Sequence, residues 1–144
     1  RISCSEKMVL TVETKDVVLP TIVTCLALIF WYYLILIHQA TTKHKLKKEY
    51  ARKGHKFDRY FGQDSEMLAA DRNVGNYQEQ CWVLLISMWL YCIFVNNIIG
   101  GIMGFIWLIL RVIYLYLMGK HLSNFVPLRI LAATLPQYIM IVYM

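Results

Sequence analysis

Apolar residues in this chain are gathered into long runs with polar stretches between them. Val17 to His38 reads VVLPTIVTCLALIFWYYLILIH and contains no Asp, Glu, Lys or Arg. At about 1.5 Å per residue a helix over that run spans about 33 Å, enough for a hydrocarbon core of about 30 Å. A second apolar stretch runs from Tyr77 to Met118, broken by Asn96-Asn97 and Gly100-Gly101. As one helix it would measure about 63 Å, too long for one crossing. The Asn/Gly break predicts two antiparallel helices joined by a tight turn at Asn96–Gly101. The last run, Phe125 to Met144, carries Pro136, which should kink it. Pro20 should fall near the first turn of its helix, where a missing N–H costs little. No segment alternates apolar and polar residues with period two, so a β-barrel is excluded. The pattern predicts an all-α fold, an integral membrane four-helix bundle forming a single domain over 1–144. Its helices should lie over 17–40, 77–96, 101–118 and 125–144, with a basic loop over 41–71.

Composition agrees. Hydrophobic residues make up 58% of the chain and the mean hydropathy is +0.48, which excludes a soluble enzyme or a disordered tail. The net charge of +6 is concentrated: Lys43 to Arg59 holds eight Lys or Arg against two acids, Glu49 and Asp58. Four crossings place that loop and the Lys120–His121 connection on one side. By the positive-inside rule that side faces cytosol, or stroma or matrix in an organelle. Its first role is as a topology signal and a contact with lipid headgroups. A basic run beside a membrane, with no recognisable fold, argues against nucleic-acid binding. Cys4, Cys25, Cys81 and Cys92 form no CxxC pair, and His44 and His55 have no second ligand at metal spacing, so no metal site is expected. Tyr and Trp lie mostly within or near the ends of the apolar runs, as lipid-facing and interfacial residues do. Gly100, Gly101 and Gly104 suit close helix packing.

A charge inside a membrane helix costs about 2.5–3.5 kcal/mol, so each needs a reason. Arg72, Asn76 and Glu79 are spaced i, i+4, i+7 and share one helical face at the start of the second crossing. Arg111 lies late in the third crossing, which ends on the side where the second begins, so Arg111 is expected to approach Glu79. Arg129 lies early in the fourth. Two accounts follow: an internal ion pair that fixes packing, or a polar cavity for an anionic, hydrogen-bonding ligand.

Taken together, these motifs resemble the MAPEG superfamily, closest in pattern to its microsomal glutathione transferases. The core is Arg72-Asn-Val-Gly-Asn76-Tyr-Gln-Glu79, which resembles the family's R-x-x-x-N-x-x-E at the start of helix 2, with Asp71 where Glu or Gln often precedes the Arg. Upstream, Ala51-Arg52-Lys53-Gly-His-Lys56 is similar to its basic segment beyond helix 1. Downstream, Arg111-Val-Ile-Tyr114 resembles the R-x-x-[YH] of helix 3, followed by Gly119-Lys120. The resemblance implies a homotrimer of four-helix protomers that binds glutathione between neighbours. It implies Arg52, Arg72 and Arg111 as forks for the two carboxylates, Glu79 for the ammonium, and Asn76 and Tyr114 as further hydrogen-bonding partners.

Two positions depart from the family pattern. The thiol-activating Arg stands roughly 14–16 residues after the helix 3 Arg, which lands here on Phe125 to Pro127; the nearest arginine, Arg129, is 18 residues on. The tyrosine expected seven residues after Arg111 is replaced by Met118, with Tyr116 two residues early. A longer third connection restores Arg129 as the candidate catalytic residue. The implied function is a glutathione-dependent transferase or peroxidase in the endoplasmic reticulum or an organelle membrane, acting on lipophilic substrates. The alternative is a catalytically silent subunit that scaffolds a larger membrane complex. The chain starts at Arg1, so any targeting segment lies outside what can be read.

Overall fold

Helix propagation in the N-terminal third runs well past the apolar stretch. The structure, a computed structural model, describes residues 14–62, 64–118 and 128–144, and only the backbone of Arg129. In it α1 (Thr14–Tyr32) passes into a π-helical stretch (Tyr33–Gln39) and then into α2 (Ala40–Arg52) without a break. Most of the loop expected over 41–71 is therefore helical, and the connection shrinks to residues 53–64. The cause is legible in α2 itself. Lys, Leu, Glu, Ala and Arg are strong helix formers, and Leu46 is buried with Met67, Ala70, Tyr50 and Phe57 packed around it. Lys45 donates to both carboxylate oxygens of Glu66 at 2.9 Å, an exposed pair that lifts the Lys45 ammonium above its ordinary value. Gly54, at φ 72°, supplies the left-handed residue just past the end of α2.

α3 (Ser65–Phe94) begins 12 residues before the expected 77. Its cap explains why. Asp64 Oδ1 accepts from the N–H groups of Glu66 and Met67 at 3.0 and 3.1 Å, satisfying two donors that otherwise lack partners. Tyr50 donates to the other oxygen at 3.1 Å, which raises the Tyr50 phenol above its usual range. α1–α2 and α3 thus form a long helical hairpin whose basic end extends beyond the apolar runs.

Asn96 closes the next turn. Its side chain accepts from Ile98 and Ile99 N–H at 3.0 Å, and α4 (Asn97–Met118) starts there rather than at 101. α5 (Leu128–Tyr143) completes the bundle; Pro136 lies inside it without ending it. Residues 119–127, the third connection, lie outside the described residues. Pro20 is likewise inside α1 rather than in its first turn, and it is buried. Thr24 Oγ1 donates to its carbonyl at 2.7 Å.

Two helical segments, Thr14–Arg52 and Asn97–Met118, are long and apolar enough to cross a membrane. α3 carries polar side chains through its first half, and the apolar stretch of α5, Ile130–Tyr143, is shorter. The core joins Val23, Ala27 and Leu34 to Tyr77, Leu84 and Met88 of α3 and Trp107 of α4. Lipid is as apolar as these side chains, so close packing rather than water exclusion must hold the helices together. The glycines of α4 permit it. A Cβ on Gly101 would run into Leu19 of α1. One on Gly104 would overlap Met88 Sδ and sit 3.0 Å from Val23 Cγ1.

Met88 can swing aside but the β-branched Val23 cannot do so readily. Gly104→Ala is therefore expected to lower stability by about 1–3 kcal/mol, the usual cost of an extra methyl in a packed core. Thermal unfolding in detergent checks it; an unchanged midpoint would show that α1, α3 and α4 are less tightly apposed than described.

Candidate functional site

Arg111 organises the polar interior. It is 2% exposed, one turn before Tyr114 on α4, and its guanidinium lies 4.8 Å over the Trp107 ring and 5.4 Å over that of Tyr114. Across on α3, Asn76 takes it twice. Nη1 donates to Asn76 Oδ1 at 3.2 Å, and Nη2 reaches the Asn76 carbonyl at 3.5 Å. Asn76 Nδ2 in turn donates to the Tyr114 hydroxyl at 2.8 Å. Gln80, one turn further on α3, donates to Asn76 Oδ1 at 3.3 Å and to the Tyr138 hydroxyl of α5 at 2.8 Å. Three helices are thereby tied through two amides, Asn76 toward α4 and Gln80 toward α5.

Asn73 and Tyr77 extend the cluster toward the first helix. Asn73 Nδ2 lies 3.4 Å from His38 Nε2, and Tyr77 donates to the Ala27 carbonyl at 2.7 Å. Between them is a cavity of about 10 Å³ lined by Asn73, Tyr77, Arg111 and Tyr114 with Phe30 and Leu34. That is room for a single water.

The cluster is left short of partners. Arg111 Nε, Asn73 Oδ1, Gln80 Oε1 and both amide atoms of Gln137 are buried without a hydrogen bond among the described residues. No carboxylate pairs with Arg111 among them. A buried cation lacking its anion is expensive, and buried polar groups normally find partners. Such a site has capacity for a ligand that brings a carboxylate.

The sequence expectations divide here. Asn76, Arg111 and Tyr114 come together as a site. The expected approach of Arg111 to Glu79 does not occur: Arg111 bonds Asn76, and Glu79 is exposed with no partner among the described residues. Helix phase is the reason, since Glu79 stands about 100° from inward-facing Gln80. Arg72 is also exposed. The shared face of Arg72, Asn76 and Glu79 therefore runs along the edge of the protomer, with Asn76 alone reaching inward. Arg52, the last residue of α2, is exposed and makes no described contact with this cluster. The side chain of Arg129 lies outside the described residues.

Sequence reasoning overlooked Gln80, Tyr138 and Asn73. Gln80 was within reach, being i+4 from Asn76 on the same helix. Tyr138 and Asn73 carried no comparable signal, because only the three-dimensional packing brings them in.

Asn76→Leu leaves a guanidinium N–H, the Tyr114 hydroxyl and Gln80 without their partner. It is expected to cost about 2–3 kcal/mol in stability, against about 1 kcal/mol for Tyr114→Phe. Unfolding of the two variants side by side checks this, and equal effects would contradict the central place given to Asn76.

Comparison with known proteins adds one positive finding. The model of the MAPEG family matches residues 20–144. No curated protein and no solved structure matched the chain.

Proposed function

The chain belongs to the MAPEG family of membrane-embedded proteins in glutathione and eicosanoid metabolism, and from that premise we propose that it is a glutathione-dependent transferase or peroxidase acting on lipophilic electrophiles or hydroperoxides. The observation that carries this reading is the buried Arg111, which has an unused Nε–H and no carboxylate partner among the described residues. Glutathione presents two carboxylates and an ammonium, and the residues fit them. Arg111 and Arg72 are the carboxylate forks, with Arg52 contributing from the basic side. Glu79 takes the ammonium, and Asn76 and Tyr114 serve a peptide group and a carbonyl.

Arg72 and Glu79 point away from their own bundle at the start of a membrane helix, where an unpaired charge is costly. A neighbouring protomer packed along that edge encloses them and the ligand together, which favours a homotrimer. Glutathione supplies a thiol nucleophile, and an unperturbed thiol is only a few per cent thiolate at pH 7. Arg129, at the start of α5, is the cation assigned to hold that thiolate. An apolar groove of about 440 Å³ between α1 and α4, lined by Leu26, Phe30, Tyr33, Phe105 and Leu108, gives a lipophilic substrate room beside the bundle. The basic end faces the cytosol, stroma or matrix, in the endoplasmic reticulum or an organelle membrane.

The second reading, a silent scaffold subunit, is favoured by Met118 in the place of the family's tyrosine and by the later position of Arg129. Purification in mild detergent separates the two: a free trimer that conjugates glutathione to an aryl halide or reduces a lipid hydroperoxide supports the enzyme. Absence of turnover with both, or one copy held in a much larger complex, supports the scaffold.

Arg129→Ala is expected to lower turnover at pH 7 by up to about thirtyfold, the ratio between a fully ionised thiol and the few per cent thiolate of an unperturbed one, while Lys120→Ala leaves it nearly unchanged. Glu79→Gln is expected to weaken glutathione binding by about 1.5–3 kcal/mol, the scale of a hydrogen bond to a charged group, with the oligomer intact. Titration and size measurement on the same sample decide this; unchanged affinity in an intact oligomer removes Glu79 from the site.

A further inference from the structure

Tyr60 and Phe61, at the tip of the connection between α2 and α3, are 84% and 90% exposed. Two flanking interactions hold them outward. Asp58 Oδ1 accepts from the backbone N–H of Tyr60 at 2.9 Å and of Phe61 at 3.0 Å. Donation by Phe61 and Tyr60 keeps the Asp58 carboxyl below its ordinary value, so this turn persists at neutral pH. Arg59, just before Tyr60 in the chain, forks onto Asp71 at 2.7 and 2.8 Å, and its guanidinium carbon lies 5.8 Å over the Tyr60 ring.

Asp71 fixes the height of this tip. It also accepts from Gln39 Nε2 at 2.7 Å, and Gln39 directly follows His38, the last residue of the first apolar run. The Tyr60 ring is thus tied, through Arg59 and Asp71, to the level at which the first crossing leaves the hydrocarbon. Rings at that level are interfacial anchors, with their polar edge toward headgroups. The same segment exposes further cations: Lys47, Lys48, Arg52, Lys53 and Lys56 are all exposed, and of these the Lys56 charge is felt at Asp58, beside the pair. Lys45 is engaged with Glu66 and Arg59 with Asp71. An exposed aromatic pair on a basic segment matches the chemistry of an anionic lipid surface, where both attractions act together.

We infer that Tyr60 and Phe61 insert into the headgroup region of an anionic leaflet on the basic side, with Lys56 and the other exposed lysines of the segment drawn to its negative charge, making the connection a second membrane anchor. Because Arg59 grips Asp71, the anchor also sets the height of the first turns of α3, which carry Arg72 and Asn76. The inference does not depend on the ligand proposed for those residues.

A nitroxide placed at Phe61→Cys reads the depth directly. The background is Cys4→Ser and Cys25→Ser; Cys81 and Cys92 are buried. The protein is reconstituted in vesicles of phosphatidylcholine with about one-third phosphatidylglycerol. The ratio of collisions with dissolved oxygen to collisions with a water-soluble nickel chelate is expected to exceed severalfold that of a label at exposed His55→Cys. Arg59→Ala is expected to bring it down toward the His55 value, and so is pure phosphatidylcholine. A ratio equal to that at position 55 leaves the tip in water, free for an acidic soluble partner, and overturns the inference. Shielding from both reagents, with dipolar broadening that disappears on dilution by unlabelled protein, assigns the tip to a second copy and overturns it too. An equal ratio in the two lipid mixtures overturns the role given to the lysines.

Discussion

A guanidinium buried in a membrane bundle must be paid for by its surroundings, and Arg111 shows how. It lies on two aromatic faces, Trp107 and Tyr114, and donates to one amide, Asn76. Those contacts offset part of the desolvation cost but bring no negative charge. The remaining polar groups follow from this. Asn76 is turned inward because Arg111 and Tyr114 need it. Gln80 then completes its hydrogen bonding and, by donating to Tyr138 as well, draws α5 against α3. One cation specifies how three helices meet.

The outer edge of α3 completes the logic. Arg72 and Glu79 flank Asn76 along that edge and are exposed in the single protomer. A charge carried into hydrocarbon is costly unless something covers and pairs it. On the proposed reading, one ligand and one neighbouring protomer would meet the needs of Arg111, Arg72 and Glu79 together. Separate explanations for each would require three unrelated partners.

Much of this was legible in the sequence. The apolar runs located the helices because the bilayer fixes their length; Asn76 and Arg111 were singled out by the cost of polar groups in a membrane, and Tyr114 by its place in the motif that resembles the family's R-x-x-[YH]. The errors have physical causes. Hydropathy reports where lipid ends, not where a helix ends, so α2 and the first turns of α3 read as loop. Leu46 buried against Met67 and the cap at Asp64 were the overlooked signals. The expected pairing of Arg111 with Glu79 placed both on one side of the bundle by level along the membrane and ignored rotation about the helix axis. Asn73 reached the cluster through packing against the first helix, for which spacing along the chain carries no information.

The central claim is that the Arg111 cluster lacks a carboxylate because a ligand brings one. Calorimetric titration of the purified protein with glutathione, and with its diethyl ester, tests that claim. The ester keeps the ammonium, the peptide groups and the thiol but masks both carboxylates. The account predicts binding of glutathione and a loss of at least about tenfold with the ester, since a hydrogen bond to a charged group contributes about 1.5–3 kcal/mol. Equal affinity for the two, or no binding of glutathione, would contradict it.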